Sequence, residues 1–146
     1  MPPTLAYTAG LLHDIGKVVL DQYIASASPL FNSVMQKEID FLELENKHLK
    51  VNHTEVGSKL AIKWCFPESL VDTILHHHYP ENGTQNPELT HMVYIADLLM
   101  ARFQAGLELE QLDTDRLSSR LEKIGLSISQ FHEIVDFIPT RSLEAF

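Results

Sequence analysis

The sequence predicts an all-α fold, a bundle of six to seven helices in one domain. Apolar residues recur at the three- and four-residue spacing of amphipathic helices through most of the 146 residues. Glycines, prolines and polar clusters divide the chain into segments of helical length. No long alternating apolar and polar stretch occurs, and Asn82-Gly83 is flanked by polar residues, so strands and hairpins are not predicted.

Four of the predicted helices lie in the first half of the chain. Asp14 and Gly16 interrupt the apolar spacing of the first one. Asn52 or Thr54 caps the third, because either side chain can accept a hydrogen bond from the first turn. Pro67 suits the first turn of the fourth. These helices are predicted over residues 5–24, 29–49, 52–66 and 68–77.

A loop and three further helices complete the prediction. The loop is rich in proline, asparagine and glycine, which favour turns. Asp113 is placed to cap one helix, Gly106 and Gly125 to end helices, and Ser127 or Ser129 to begin the last one. The loop covers residues 79–87, and the helices cover residues 88–104, 113–124 and the segment after residue 126.

Composition and charge exclude several classes of function. Twenty acidic residues against 11 basic ones give a net charge of −9, which disfavours binding of a nucleic-acid duplex across a basic face. A nucleotide ligand remains compatible, because a bound metal ion reverses the local field. Cys65 is the single cysteine, so no intrachain disulfide forms. Without a signal peptide or an apolar run of about 20 residues, we expect a cytoplasmic protein with no membrane partner.

Four groups of polar residues stand in otherwise apolar surroundings. The first is an adjacent His-Asp pair between Leu12 and Ile15, which is costly to bury without partners. The second is a histidine at a helix start, the third is a run of three histidines at a helix end, and the fourth is a carboxylate in an apolar helix. They are His13 and Asp14, His53, His76 to His78, and Asp97.

Each group alone has a structural explanation. A His-Asp pair is common in surface turns, histidines are favoured at helix C-termini, and a lone aspartate usually faces solvent. Together they are more informative, because imidazole and carboxylate are ligands of first-row divalent metals. A helical bundle can direct such ligands inward from several helices. The sequence therefore predicts a site for one or two divalent ions, with iron, manganese, zinc and nickel as candidates.

Several stretches resemble the HD superfamily of metal-dependent phosphohydrolases, named for its His-Asp pair. Within it the chain is most similar to the bacterial HDOD output domain. The similar stretches read AGLLHDIGK over residues 9–17, HTEVGSKL over residues 53–60 with Trp64 and Pro67 following, ILHHHYP over residues 74–80, IAD over residues 95–97 and IGLS over residues 124–127. The resemblance covers nearly the whole chain from residue 6, and it implies an HD-type helical domain over residues 1–146.

The resemblance also implies a ligand set. The related HD-GYP branch hydrolyses cyclic di-GMP with a centre of two or three metal ions. By similarity to it, one ion is held by His13, Asp14 and Asp97. Asp14 bridges to a second ion, which is also held by His53, His77 and His78. His77 and His78 are chosen from the three consecutive histidines because the histidine pair of the family is followed by one residue and a proline, as Tyr79 and Pro80 follow here. His76 stays an alternative. Asp14 and Lys17 are the implied catalytic residues, with Lys17 matching a lysine that contacts the scissile phosphate.

The sequence departs from this family in two places. The Gly-Tyr-Pro loop of the HD-GYP branch is absent, and residues 1–12 contain neither the His nor the Glu that serves as an upstream ligand. We therefore expect the C-terminal part of an HDOD domain, with the upstream helices missing. An apolar face would then be exposed, and we expect a homodimer or swapped assembly. The candidate residues of that face are Leu5, Leu11, Leu12, Phe31 and Val34.

The sequence is compatible with three functions. The leading one is a bacterial signal-transduction output domain of HDOD type with a His/Asp metal site. The alternative is an active phosphohydrolase that cleaves a cyclic dinucleotide or nucleotide. The third is an interaction module whose histidines bind no metal. Because the first ion has only three ligands from this chain, we expect one tightly bound ion and weak or absent phosphodiesterase activity.

Overall fold

A computed structural model describes residues 1–24, 41–105 and 114–137. Within these ranges the chain forms α-helices and one short 3₁₀-helix, without strands, which confirms the predicted all-α class. The helices are α1 (Pro3–Leu12), α2 (Ile15–Ile24), α3 (Phe41–Leu49), α4 (His53–Lys63), α5 (Glu68–His76), α6 (Pro87–Ala105), α7 (Thr114–Glu122) and α8 (Ile128–Phe137), with the 3₁₀-helix over Pro80–Asn82.

The helix predicted over residues 5–24 is divided in two at His13 and Asp14. The His13 N–H donates to Ala9 O at 2.9 Å and closes α1, and the Lys17 N–H donates to Asp14 O at 2.8 Å as α2 begins. This break accounts for the eight α-helices of the described ranges, one more than the upper end of the predicted number. It also places the His-Asp pair at a helix junction.

The ends of two later helices follow their side-chain caps. Asn52, the first of the two predicted caps, precedes α4, and its side chain accepts from the Glu55 N–H at 3.1 Å. Ser127 precedes α8 and forms a capping box, because its hydroxyl accepts from the Gln130 N–H while its own N–H donates to the Gln130 side chain. Gly125 ends the preceding turn at φ +71°.

Some predicted boundaries lie outside the described residues. These are the start of the second helix at Pro29, the helix end at Gly106 and the cap at Asp113. The same holds for Phe31 and Val34, two residues of the predicted exposed face.

Helix α4 packs tightly between α2 and α5. A Cβ at Gly16 of α2 would overlap the carbonyl oxygen of His53, and one at Gly57 of α4 would lie 3.0 Å from Ile74 of α5. The two glycines therefore permit an approach that larger residues would prevent. This approach brings the start of α4 next to the His-Asp junction.

Two buried apolar clusters hold α6 in place. One joins α6 to α1 and α5, and the other joins it to α7 and α8. The first consists of Ala9, Leu70, Leu89 and Val93, and the second of Ile95, Leu117, Leu121 and Phe131. Asp97 thus lies on a helix that is fixed from both sides. None of the described helices is both long and apolar enough to cross a membrane.

Candidate metal centre

The six predicted metal ligands come together where four parts of the fold meet. These parts are the α1–α2 junction, the start of α4, the end of α5 and the middle of α6. The ligands form two groups, and within each group the ligand atoms lie within 4.8 Å of one another. The four-residue group consists of Asp14, His53, His77 and His78, and the three-residue group of His13, Asp14 and Asp97. Asp14 belongs to both.

The four-residue group places histidine nitrogens around one carboxylate oxygen. Asp14 Oδ1 lies 3.3 Å from His53 Nε2 and 3.6 Å from His77 Nε2. His53 Nε2 and His78 Nε2 are 3.0 Å apart. The side chains of His53 and His77 are fully buried. A set of imidazole nitrogens and one carboxylate oxygen suits zinc, iron and nickel.

The three-residue group uses the second oxygen of the same carboxylate. His13 Nε2 lies 3.4 Å from Asp14 Oδ2 and 3.5 Å from Asp97 Oδ1. Lys17 Nζ donates to Asp14 Oδ2 at 2.6 Å, and its side chain is 46 % exposed. The two oxygens of Asp14 are therefore divided between the groups, as a bridging carboxylate requires.

Hydrogen bonds on the far side of three imidazole rings determine which nitrogen faces the centre. His13 Nδ1 contacts Gly10 O at 2.7 Å, and His77 Nδ1 contacts Ile74 O at 2.9 Å. His53 Nδ1 contacts a carboxylate oxygen of Glu45 at 2.7 Å. Because carbonyl and carboxylate oxygens accept, Nδ1 donates in each ring. Nε2 is then the nitrogen that is available to a metal ion.

Three buried atoms at the centre fit a bound cation. Within the part of the chain that the structure describes, His13 Nε2, Asp14 Oδ1 and His77 Nε2 have no hydrogen-bond partner. Buried polar atoms without partners are rare and unfavourable in folded proteins. Asp14 Oδ1 and His77 Nε2 belong to the four-residue group and His13 Nε2 to the three-residue group, so a divalent cation in each group would give all three atoms a partner. The residues present therefore fit a metal centre.

Electrostatics at the three-residue group favour ionised side chains. Burial alone would lower the pKa of His13, but contacts with Asp14 and Asp97 outweigh it and raise that pKa to about 10. Burial opposes ionisation of both carboxyls as well. Contacts with His13 nevertheless lower the pKa of Asp14 and of Asp97, and Lys17 adds to this effect at Asp14. Without metal, the proton on His13 thus balances two carboxylates near neutral pH.

The pKa values of the two consecutive histidines in the four-residue group are lowered, in contrast to that of His13. Burial lowers the pKa of His77, although Asp14 partly offsets this effect. Burial, with repulsion from His77 and His53, lowers the pKa of His78 to about 4. Both rings are therefore neutral near pH 7, which is the form that binds metal ions.

The remaining histidines of the described ranges are excluded from both groups. His76 Nδ1 lies 3.1 Å from Asp72 Oδ1, so His77 and His78 are the two of the three consecutive histidines that reach the centre. His91 Nδ1 contacts Pro87 O at 2.7 Å within α6. His48, His91 and His132 belong to neither group.

Glu45 is the residue of this region that the sequence analysis missed. It lies on α3, is 2 % exposed and accepts from both the backbone N–H and Nδ1 of His53, at 2.9 and 2.7 Å. A signal was present, because Leu42, Glu45 and Leu49 share one helical stripe at spacings of three and four. An acidic residue on an apolar stripe is the same pattern that identified Asp97.

The chain is similar to one known domain family and to several bacterial proteins. The profile of the HDOD domain matches residues 1–80. An uncharacterized protein of Treponema pallidum is 29% identical over 115 residues, or 77% of this chain and 22% of that protein. Ribonuclease Y of Thermus thermophilus is 33% identical over 125 residues, and ribonuclease Y of Deinococcus radiodurans is 28% identical over 124 residues. Each match covers 84% of this chain and 17% of the ribonuclease, so the chain spans about a fifth of these relatives. No solved structure matches the chain significantly.

Proposed function

This chain belongs to the HDOD-domain family, and from that premise we propose that it is a bacterial signal-transduction output domain whose His/Asp cluster binds a divalent transition-metal ion. The observation that carries the metal site is the presence of three buried ligand atoms without hydrogen-bond partners, on His13, Asp14 and His77, within the two ligand groups that share Asp14. The hydrogen bonds at Nδ1 support it, because they turn Nε2 toward the same region.

The two groups differ in the number of ligands that they offer. The four-residue group supplies three imidazoles and one carboxylate oxygen, which can complete a tetrahedral shell. The three-residue group supplies one imidazole and two carboxylates, and it shares Asp14. We therefore propose one tightly bound iron, manganese, zinc or nickel ion in the four-residue group, and a weaker second ion in the other.

Elemental analysis of the purified full chain tests the metal site. We expect about one equivalent of a transition metal per chain in the unsubstituted protein. His77→Ala removes a ligand and should lose that equivalent, whereas His91→Ala is the matched control, a histidine that is likewise mostly buried but lies outside both groups. An unsubstituted chain that is free of metal and takes up none on titration would refute the proposal.

A second function, metal-dependent hydrolysis of a cyclic dinucleotide or nucleotide, is favoured by Lys17. Its ammonium group contacts Asp14 while the side chain remains 46 % exposed, so it could reach a phosphate that approaches the centre from solvent. Divalent ions supply Lewis acidity and lower the pKa of bound water. The relatives named ribonuclease Y add support, since a ribonuclease cleaves phosphodiester bonds.

Phosphodiesterase assays with Mn²⁺ or Fe²⁺ separate the two functions. Cyclic di-GMP, a nucleotide phosphodiester and a short RNA are suitable substrates. We expect weak or absent turnover, and we expect Lys17→Ala to retain the tight metal ion. Lys63→Ala, which changes an exposed lysine at the far end of α4, is the control. Two tightly bound ions together with hydrolysis that disappears in Lys17→Ala but not in Lys63→Ala would instead establish the enzyme.

A further inference from the structure

We propose that Glu45 is a positioning residue of the metal centre, whose carboxylate holds the His53 ring with Nε2 toward Asp14. The inference rests on the proposed metal-binding function and extends it to a residue on another helix. Glu45 lies on the side of the His53 ring away from Asp14. It therefore acts through His53 and is not itself a ligand.

The geometry joins α3 directly to the first residue of α4. One oxygen of Glu45, Oε2, accepts from the His53 backbone N–H at 2.9 Å and from His53 Nδ1 at 2.7 Å. Both side chains are almost completely buried, with exposed fractions of 2 % and 0 %. The double contact fixes the position of the backbone and the orientation of the ring together. His53 Nε2 then lies 3.3 Å from Asp14 Oδ1.

The charge of the carboxylate adds to this geometric effect. A hydrogen bond from a ligand imidazole to a carboxylate fixes the tautomer and makes the other nitrogen a stronger donor to the metal. Burial strengthens the effect, since little water is present to screen the two groups. Glu45 thus favours the cation-binding form of His53 in two ways.

A purely structural role is the competing explanation. The His53 N–H is one of the first N–H groups of α4, and these need acceptors outside the helix. Another of these groups, the Glu55 N–H, donates to the side chain of Asn52. Glu45→Gln separates the two roles, because a single amide oxygen can accept both bonds of Oε2 but carries no charge. Glu45→Ala removes both the bonds and the charge.

Asp72 provides a matched control elsewhere in the chain. Its carboxylate is also mostly buried, contacts a histidine, His76, at 3.1 Å, and accepts from the backbone N–H groups of Thr84 and Gln85. His76 belongs to neither ligand group. Asp72→Asn therefore disturbs another contact between a histidine and a mostly buried carboxylate, without touching a ligand ring.

The first measurement uses the metal-free full chain. Nitrogen-15 NMR of the histidine side chains reports the tautomer of each ring. We expect His53 to carry its proton on Nδ1 in the unsubstituted chain, to retain that form in Glu45→Gln, and to populate both tautomers in Glu45→Ala. A single Nδ1–H tautomer in Glu45→Ala would overturn the positioning role without bearing on whether the centre binds metal.

The second measurement is a titration of the same variants with Co²⁺, followed by its visible absorption. Loss of the partner of a ligand histidine typically weakens metal binding roughly 10–100-fold. We expect a loss of that size in Glu45→Ala, a smaller loss in Glu45→Gln and no change in Asp72→Asn. Unchanged affinity in Glu45→Ala, or an equal loss in Asp72→Asn, would overturn the inference. If the unsubstituted chain binds no Co²⁺, the metal-binding function itself is refuted, and the role of Glu45 in that centre with it.

Discussion

At the scale of single residues, Asp14 is the side chain on which both ligand groups depend. Its Oδ1 faces His53 and His77, whereas its Oδ2 faces His13 and Lys17. Asp97 belongs only to the three-residue group. Two carboxylates of the same chemistry therefore have different expected effects on metal binding.

Asparagine substitutions at these two positions test that difference. Asp14→Asn should weaken binding of the tight ion by more than the roughly 10–100-fold typical of an outer-shell change, because it removes the charge of a direct ligand. Asp97→Asn should leave the tight ion within a few-fold of its original affinity. Calorimetric titration with Zn²⁺ measures both. A tight ion that is retained in Asp14→Asn and lost in Asp97→Asn would reverse the assignment of the groups.

The metal-free chain should be most stable near pH 6.5. Folding raises the pKa of His13 to about 10, so its contribution is complete below its unfolded value of about 6.5 and is lost as the pH rises toward 10. Folding lowers the pKa of His77 and of His78. Their contribution to the free energy of unfolding is therefore complete above about pH 6.5 and falls as the pH drops below that value. Depressed carboxyl pKa values of Asp14 and Asp97 cause a further loss below about pH 4.

Urea unfolding in the presence of a chelator, between pH 4 and 9, measures this profile. His13→Gln is the informative variant, because it should flatten the alkaline side and leave the decline below pH 6.5. An unsubstituted chain whose stability keeps rising from pH 6.5 to 9 would show that His13 is not held in its protonated form.

Most residues of the candidate centre could be predicted from the sequence, because polar groups in apolar segments drew attention to them and the resemblance to the HD superfamily implied the ligand set. His13, Asp14 and Asp97 stand between large apolar residues, and the consecutive histidines are conspicuous by their number. Glu45 could not be assigned in the same way, since its role depends on α3 packing beside the start of α4. A helical stripe indicates that a residue is buried, but it does not identify the residue on another helix that it meets.

At the scale of helices, the close packing of α2 on α4 determines where His53 lies relative to Asp14. A Cβ at Gly16 would overlap the carbonyl oxygen of His53. Gly10, on α1, has no atom of another described helix within 4 Å of the position where its Cβ would lie. The two glycines thus differ in what the fold requires of them.

Alanine substitutions distinguish the two glycines. Gly16→Ala should destabilise the chain by at least about 1–3 kcal/mol, the usual cost of overpacking, and should also weaken metal binding because His53 must move. Gly10→Ala should be neutral or stabilising by up to about 1 kcal/mol, since alanine is favoured inside a helix. Thermal unfolding with and without Zn²⁺ measures both effects. Equal stability of the two variants would contradict the described packing of α2 on α4.

Helix boundaries were predicted best where one side chain determines them. Asn52 before α4 and Ser127 before α8 act through their own hydrogen bonds to the next turn, which a sequence shows directly. The break at His13 and Asp14 was visible only as an interruption of apolar spacing. The two residues at the break contact His53, His77 and Asp97, which are distant in sequence.

At the scale of the whole molecule, large apolar side chains are exposed along α1 and α2. The exposed fractions are 74 % for Tyr7, 68 % for Leu11, 66 % for Val18 and 61 % for Tyr23. Of the residues expected on an exposed face, Leu11 is exposed, whereas Leu5 and Leu12 are half-buried. Where exposed apolar side chains form a large patch, that patch usually marks an interaction site.

We expect this face to support self-association of the chain. Sedimentation should show a dimer at high micromolar concentration, and Leu11→Glu should shift it toward monomer. Ile128→Glu, which changes a partly exposed apolar residue on α8, is the control and should leave the dimer intact. A clean monomer of the unsubstituted chain at that concentration would contradict the expectation.

Anomalous scattering from a crystal of the full chain grown with Mn²⁺ or Zn²⁺ tests whether this fold assembles a transition-metal centre. Data collected on both sides of the absorption edge of the metal locate the ion independently of any assumption about its ligands. We predict a peak about 2.0–2.2 Å from Nε2 of His53, His77 and His78 and from Oδ1 of Asp14. Anomalous density at another location, or none among these four residues, would show that they do not form a metal centre.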